Sequence, residues 1–301
     1  MVNRREFLLV ASALGRSLPL RAQPSTAQSF RAGTCVGGQN AEAFWKACDE
    51  CAQLGFHYVE SGGAGVRLVD VYESTPAQLT KELAKRKINL IGYAHYSAMA
   101  DATKHQELID LHVRIGRTLQ PIGTKYITHL LIPPARPGVP TERLPSQMTA
   151  EDFKNFGRNA NAVGKRLQEE TGLRIGYHPE TVDVLAGLVD PIMESADPRY
   201  FDYVPDVGHL TAGGLDALQI YKTYGPRIIT THFRDYDSSI EFERNGKTVK
   251  GRFVPLGKGK IDLPALVAYL RGMQFKGRLM AEGGGFEASR DYMVQKLSLQ
   301  L

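Results

Sequence analysis

Along this chain, short apolar runs alternate with longer stretches whose apolar residues fall three and four apart. The short runs, at 29–35, 56–60, 88–94, 125–131, 173–178, 201–206, 227–233 and 277–282, predict strands. The longer stretches predict helices at 41–54, 76–87, 102–119, 150–170, 184–194, 214–224, 263–273 and 290–299. Gly55 closes the first helix, and Thr171-Gly172 closes the fourth. Strict alternation means parallel strands joined by crossover helices. Eight such units predict an α/β fold, a (β/α)8 TIM barrel with parallel strands. An open doubly wound sheet would need a glycine-rich phosphate loop after the first strand. Residues 33–38 carry neither glycine pattern of that kind. Pro205 cannot donate a ladder hydrogen bond, so it is placed at the last pairing position of the sixth strand. One detour interrupts the alternation. Residues 240–244 and 248–253 flank Asn245-Gly246 and predict a hairpin insertion over about 236–254.

The chemistry gathers at the ends of the last four strands. The fifth ends in His178-Pro179-Glu180 and the sixth in Asp206, with His209 three residues on. The seventh ends in His232, followed by Arg234 and Asp235, and the eighth in Glu282. A parallel barrel with a metal at its top would show this pattern. Carboxylates with an imidazole suit Mn2+, Mg2+ or Co2+ better than a thiolate site would, and Zn2+ also fits. Residues two apart on a strand share a face, so His178 and Glu180 both remain open as the ligand from the fifth strand.

Composition narrows the partners. The 301 residues carry a formal charge of +5 with no Lys/Arg run, which argues against a nucleic-acid groove. Three cysteines cannot build a disulfide framework. Cys48 and Cys51 share one face of a predicted helix and read as buried helix residues rather than a redox pair. Trp45 is placed in the core, and His105 and His112 on a solvated helix face. His95 and His129 are expected to line or support the pocket. Residues 1–27 read as a separate segment. Asn3-Arg4-Arg5-Glu6-Phe7-Leu8-Leu9 resembles the twin-arginine export signature, and the apolar stretch after it is too short to span a membrane. The expectation is a signal peptide, a periplasmic location, no stable membrane span after its removal, and a barrel domain over 28–301.

At Glu60, His178-Pro-Glu180, Asp206-Val-Gly-His209, His232-Phe-Arg-Asp235 and Glu282, in that order, the chain resembles the xylose isomerase-like TIM barrel superfamily. The likeness covers about residues 29–300 and is to the branch of sugar isomerases and epimerases that includes inosose dehydratase and endonuclease IV. That resemblance implies one divalent metal, Mn2+ favoured, held by Glu180, Asp206, His232 and Glu282. It implies proton transfer by Glu180 and Glu282, with His178 a rival for the first. His209, Arg234, Glu60 and His95 become substrate contacts, with a salt bridge at the rim as the other role for Glu60. The implied activity is a sugar isomerase or epimerase working through a metal-stabilised enediolate on a carbohydrate substrate. The alternative is a dehydratase or lyase on a keto-sugar or keto-glycoside. An endonuclease IV-like phosphodiesterase would need a second Asp-x-His after the seventh strand, which this chain lacks, and an inactive sugar-binding barrel completes the alternatives. Barrels of this branch often pair or form tetramers, so a homo-oligomer is part of the expectation.

Overall fold

The computed structural model describes residues 30–38, 40–61, 75–244 and 247–301. The expected export segment, 1–27, and the Asn245-Gly246 turn lie outside the described residues. Eight parallel strands form one sheet: β1 (Ala32–Val36), β2 (Tyr58–Ser61), β3 (Asn89–Ser97), β4 (Tyr126–Leu131), β5 (Arg174–His178), β6 (Asp202–Tyr203), β7 (Thr231–Phe233) and, last in the chain, β10 (Leu279–Ala281). Their order is β6-β5-β4-β3-β2-β1-β10-β7. Parallel bridges Tyr203–Ile228 and Asp206–His232 join β6 to the β7 segment and close the ring. β6 is short because Pro205 has no N–H. Its carbonyl still accepts from the His232 N–H at 2.9 Å.

Side chains alternate across the sheet with period two. Val36, Val59, Tyr93, Ile127, Tyr177, Phe233 and Ala281 face outward into the large core beneath the helices. The opposite face looks into the barrel, where Ile91, Tyr126 and Met280 form a small apolar plug. Above that plug the inward positions become polar: Cys35, Glu60, His178, His232 and Glu282.

The outer layer contains α1 (Ala41–Gln53), α2 (Pro76–Arg86), α3 (His105–Leu119), α4 (Ala150–Thr171), α5 (Thr181–Leu185), α6 (Val189–Ser195), α7 (Val207–Ala212), α8 (Ala217–Tyr224), α9 (Leu263–Gly272) and α10 (Phe286–Gln295). Caps agree with the sequence: Asn40 accepts from the Ala43 N–H, and Thr149 with Asp152 forms a capping box on α4. The single helix expected over 184–194 is two short ones, α5 and α6, broken at Gly187, whose φ is +70°. Cys48 and Cys51 are free and fully buried on α1. Gly164 on α4 lets that helix approach the Tyr200 carbonyl so closely that a Cβ would collide with it. Gly164→Ala is therefore expected to destabilise the fold by about 1–3 kcal/mol through overpacking, read as a lower urea midpoint at unchanged slope.

The hairpin leaves the barrel directly after β7. Its strands are β8 (Asp235–Arg244) and β9 (Lys247–Val254), antiparallel, with Arg244 opposite Lys247. They form a two-stranded sheet of their own.

Candidate functional site

Four side chains meet where β5, β6, β7 and β10 end. His178, Asp206, His232 and Glu282 each offer a donor atom within 4.8 Å of the others. His178 Nε2 stands 3.8 Å from both Asp206 Oδ2 and Glu282 Oε2, too far for a hydrogen bond. His232 Nδ1 lies 2.8 Å from Glu282 Oε2. His178, Asp206 and His232 are almost fully buried, and Glu282 opens toward the cavity.

Asp206 divides its two oxygens. Oδ1 accepts from the His209 N–H at 2.8 Å and caps α7. Oδ2 has no hydrogen-bond partner although it is buried, and neither ring nitrogen of His178 has one. Buried polar atoms without partners are costly. Two of them, Asp206 Oδ2 and His178 Nε2, stand 3.8 Å apart beside Glu282 and fit a cation, which would satisfy both together.

The charges agree. Burial opposes ionisation of Asp206 and Glu282, yet neighbouring imidazoles and the Arg234 guanidinium hold both carboxyls below their ordinary range. Burial likewise opposes a charge on His178, but Asp206 and Glu282 outweigh it and push its pKa up to about 9. Burial opposes a charge on His232, yet the carboxylates of Glu60 and Glu282 at 3.1 and 2.8 Å hold it well above the ordinary imidazole value. The cluster thus demands positive charge. Arg234 supplies part of it, pairing with Glu282 and standing 3.6 Å from Asp206 Oδ2 through Nε.

His232 is oriented from below. Its Nε2 lies 3.1 Å from Glu60 Oε2, which also accepts from the Tyr126 hydroxyl at 2.8 Å. Glu60 is fully buried inside the barrel. Glu60, expected as a substrate contact or rim salt bridge, is instead enclosed in the barrel with its carboxylate at the back of His232. A carboxylate behind a metal-binding imidazole fixes its tautomer and aims the other nitrogen at the ion. Glu60→Gln is expected to weaken divalent-metal binding by about 10- to 100-fold with the fold intact, measured by chelator competition.

Cys35 Sγ lies 3.7 Å from His232 Nε2 and forms a second potential donor group with Glu60 and His232. Burial pushes its thiol pKa up to about 12, so at neutral pH it packs as a thiol.

Glu180 does not join the four. β5 ends at His178, Pro179 turns the chain, and Glu180 becomes the residue that precedes α5. The same-face argument lapses where the strand stops. Glu180 Oε2 lies 3.3 Å from His209 Nε2, and its Oε1 accepts from the Tyr96 hydroxyl at 3.4 Å. The Thr181 N–H donates to His209 Nδ1 at 3.1 Å, so the imidazole proton resides on Nε2, facing Glu180. Burial lowers the His209 pKa and keeps the ring neutral. Glu180, His209 and Tyr96 therefore form a second polar group beside the first, with His178 and His209 rings 5.6 Å apart.

His95 and His129 are displaced from the pocket. β3 runs on to Ser97, which puts Tyr96 on the inner face and His95 outside, its ring 5.5 Å from His112 on α3. His129 is buried against Phe156 and Phe201 behind the sheet. Asp235, expected at the mouth with Arg234, turns away. It accepts from the N–H groups of Gly257 and Gly259, both at 2.9 Å, and fixes the loop after the hairpin.

A cavity of about 620 Å³ opens beside the cluster, lined by Cys35, Arg234, Phe253, Pro255, Glu282 and Phe286 among others. Phe253, near the root of β9, was not singled out by sequence, nor were Tyr96 and Tyr126. Period two on β3 and β4, counted to the correct strand end, would have placed both tyrosines on the inner face.

Known proteins agree with this architecture. The inosose dehydratase of Salmonella typhimurium is 25% identical over 267 residues, covering 82% of each chain. Among solved structures, the E. coli 3-keto-D-glucoside 4-epimerase superposes with a TM-score of 0.64 at 18% identity, over 89% of this chain and 99% of that one. A xylose isomerase-like TIM barrel protein from Mycobacterium smegmatis, in complex with magnesium, has a TM-score of 0.64 at 13% identity, over 89% and 97%. The xylose isomerase-like TIM barrel family model matches residues 48–296. With that match over most of its length, and with the closed ring of eight strands, the chain belongs to the xylose isomerase-like TIM barrel family.

Proposed function

We propose that this protein is a divalent-metal-dependent enzyme that removes a proton next to the carbonyl of a keto-sugar, acting as an isomerase or epimerase. The observation that carries the reading is the buried cluster of His178, Asp206, His232 and Glu282, whose ligand atoms lie within 4.8 Å of one another and include the unpartnered Asp206 Oδ2 and His178 Nε2. These four would hold the ion. His178 in place of a carboxylate gives two imidazoles and two carboxylates, a donor set that suits Mn2+, Co2+ or Zn2+ better than Mg2+. A bound ion would polarise the carbonyl and stabilise the enediolate.

The chain's own groups do the rest. Glu180, outside the four and about a third exposed (33%), takes the proton. The His209 Nε2–H and the Tyr96 hydroxyl hold its carboxylate in place. Arg234 offers a guanidinium to a substrate oxygen, and Glu282, the carboxylate that lines the cavity, is the second proton carrier. Returning the proton to the other face gives an epimer, and returning it to the neighbouring carbon gives an isomer.

A second reading follows from the curated relatives, which are inosose dehydratases. The same first step, followed by loss of a β-hydroxyl as water, would make this a dehydratase. The test is incubation of metal-loaded protein with D-fructose, D-tagatose, a keto-inositol and a methyl keto-glucopyranoside in D2O. Deuterium uptake with the carbon skeleton and water content retained supports the isomerase. A product lighter by one water, absorbing in the ultraviolet, supports the dehydratase. Neither result from any of them, with metal bound, would sink both. The Arg4-Arg5 segment supports export to the bacterial periplasm, tested by fractionation of wild type beside a double lysine variant.

A further inference from the structure

The hairpin ends at the site. Phe253 is the penultimate residue of β9, and about a third of it (36%) stays exposed. The ring is held by two neighbours: it lies 5.1 Å from the His209 ring and 5.6 Å from Tyr236, both in T-shaped contacts. The Arg234 guanidinium carbon lies over one face of the ring, 4.9 Å from the centroid, so a ligand would use the other face. Phe253 thus touches both the group that serves Glu180 and the group that pairs with Glu282. It also lines the cavity, next to Val254, Pro255 and Phe286. Elsewhere the hairpin carries mostly charged and polar residues, such as Asp237, Glu241, Lys250 and Arg252. Among the described residues of the hairpin, Phe253 is the one large apolar side chain that is exposed, and at the mouth of a polar site such a surface has a binding use.

A closed six-membered polyol ring has C–H groups on its faces and hydroxyls around its edge. An aromatic plate takes a face, and carboxylate, imidazole and guanidinium take the edge. An open-chain sugar has no flat apolar face to offer. We propose that Phe253 is a specificity-determining platform that selects a closed six-membered ring, with the cavity beyond it holding the substituent of a glycoside. The inference rests on the proposed function and names the substrate class of that site. Two sources share the ring chemistry, a cyclitol and a glycoside. Pro255, Val254 and Phe286 extend the apolar wall past Phe253, which favours a glycoside over a bare ring.

The experiment is calorimetric titration of metal-loaded full-length protein with methyl β-D-glucopyranoside, phenyl β-D-glucopyranoside, myo-inositol and D-glucitol. Wild type, Phe253→Ala and Phe253→Tyr are compared, with metal content measured on each sample. The expected order is phenyl glucoside tightest, then methyl glucoside, then myo-inositol, with glucitol weakest. Phe253→Ala should weaken the glucosides by about five- to tenfold without changing glucitol, and Phe253→Tyr should restore them. Myo-inositol as tight as phenyl glucoside would overturn the glycoside assignment. Glucitol equal to the rings, no glucoside binding at all, or an unaffected Phe253→Ala would overturn the platform itself. Loss of metal, or of solvent exchange on the keto-sugars, would instead count against the proposed function, and these are read separately.

Discussion

Glu180→Gln is expected to keep one equivalent of divalent metal and to lose turnover by about a hundredfold to ten-thousandfold. His178→Ala is expected to do the reverse first: it should release the metal, and activity should fall with it by roughly a thousandfold, or about 4 kcal/mol. The contrast comes from one turn of chain. His178 is the last residue of β5 and faces Asp206 and Glu282, whereas Glu180 lies past Pro179 and faces His209 and Tyr96. Metal content by mass spectrometry, beside turnover or solvent proton exchange, checks both variants. Should Glu180→Gln lose the ion and His178→Ala retain it, the ligand from β5 is the glutamate and the base must be sought elsewhere.

Acid is expected to unfold this protein earlier than carboxylate titration alone would. His112 is fully buried on α3, with its Nδ1 2.7 Å from the Leu108 carbonyl and its ring against His95. Burial, with some help from His95, lowers its pKa from 6.5 to about 4. His129, packed against Phe156, Phe201 and the Ser97 hydroxyl, is lowered well below the ordinary value by burial and by the other two histidines. Both are neutral when folded, so the unfolded chain binds more protons between the two pKa values. Their stability is complete above about pH 6.5 and is lost as the pH falls toward 4, roughly 3 kcal/mol for His112. Asp183 and Asp202 act in the opposite direction, because burial raises both to about 6. The isolating measurement is the melting temperature of wild type and His112→Leu from pH 7.5 to 4.5. The variant should show a flatter decline over that window. Parallel curves would mean that His112 does not control acid stability.

Much of the fold was legible in the chain. The alternation of short apolar runs with helical periods fixed parallel strands, and eight units left a barrel as the closing geometry. The placement of Asp206, His232 and Glu282 near strand ends was legible, since each lies within three residues of the last residue of its strand. The last helix was placed four residues late, since Gly283-Gly284-Gly285, all with positive φ, turn the chain sooner than the apolar pattern suggests.

What the sequence alone determined is the order of elements and which residues stand at strand ends, because both follow from local periodicity and turn chemistry. What only the tertiary structure decided is which face the residues near those ends present, and to whom. His95 and Glu180 sit at or just past positions where a strand continues or stops, and one residue of error in that boundary moves a side chain between the barrel mouth and the helices. His112 looked solvated on a helix whose apolar face is wider than its pattern implied, and only packing against β3 buried it. Glu60 looked like a rim residue, yet its depth depends on where β2 sits relative to β7, a register that no local pattern contains. Phe253 lies far from the metal cluster's short motifs. It reaches His209 only because the hairpin folds back over the mouth, and contacts of that range are set by the closed barrel as a whole.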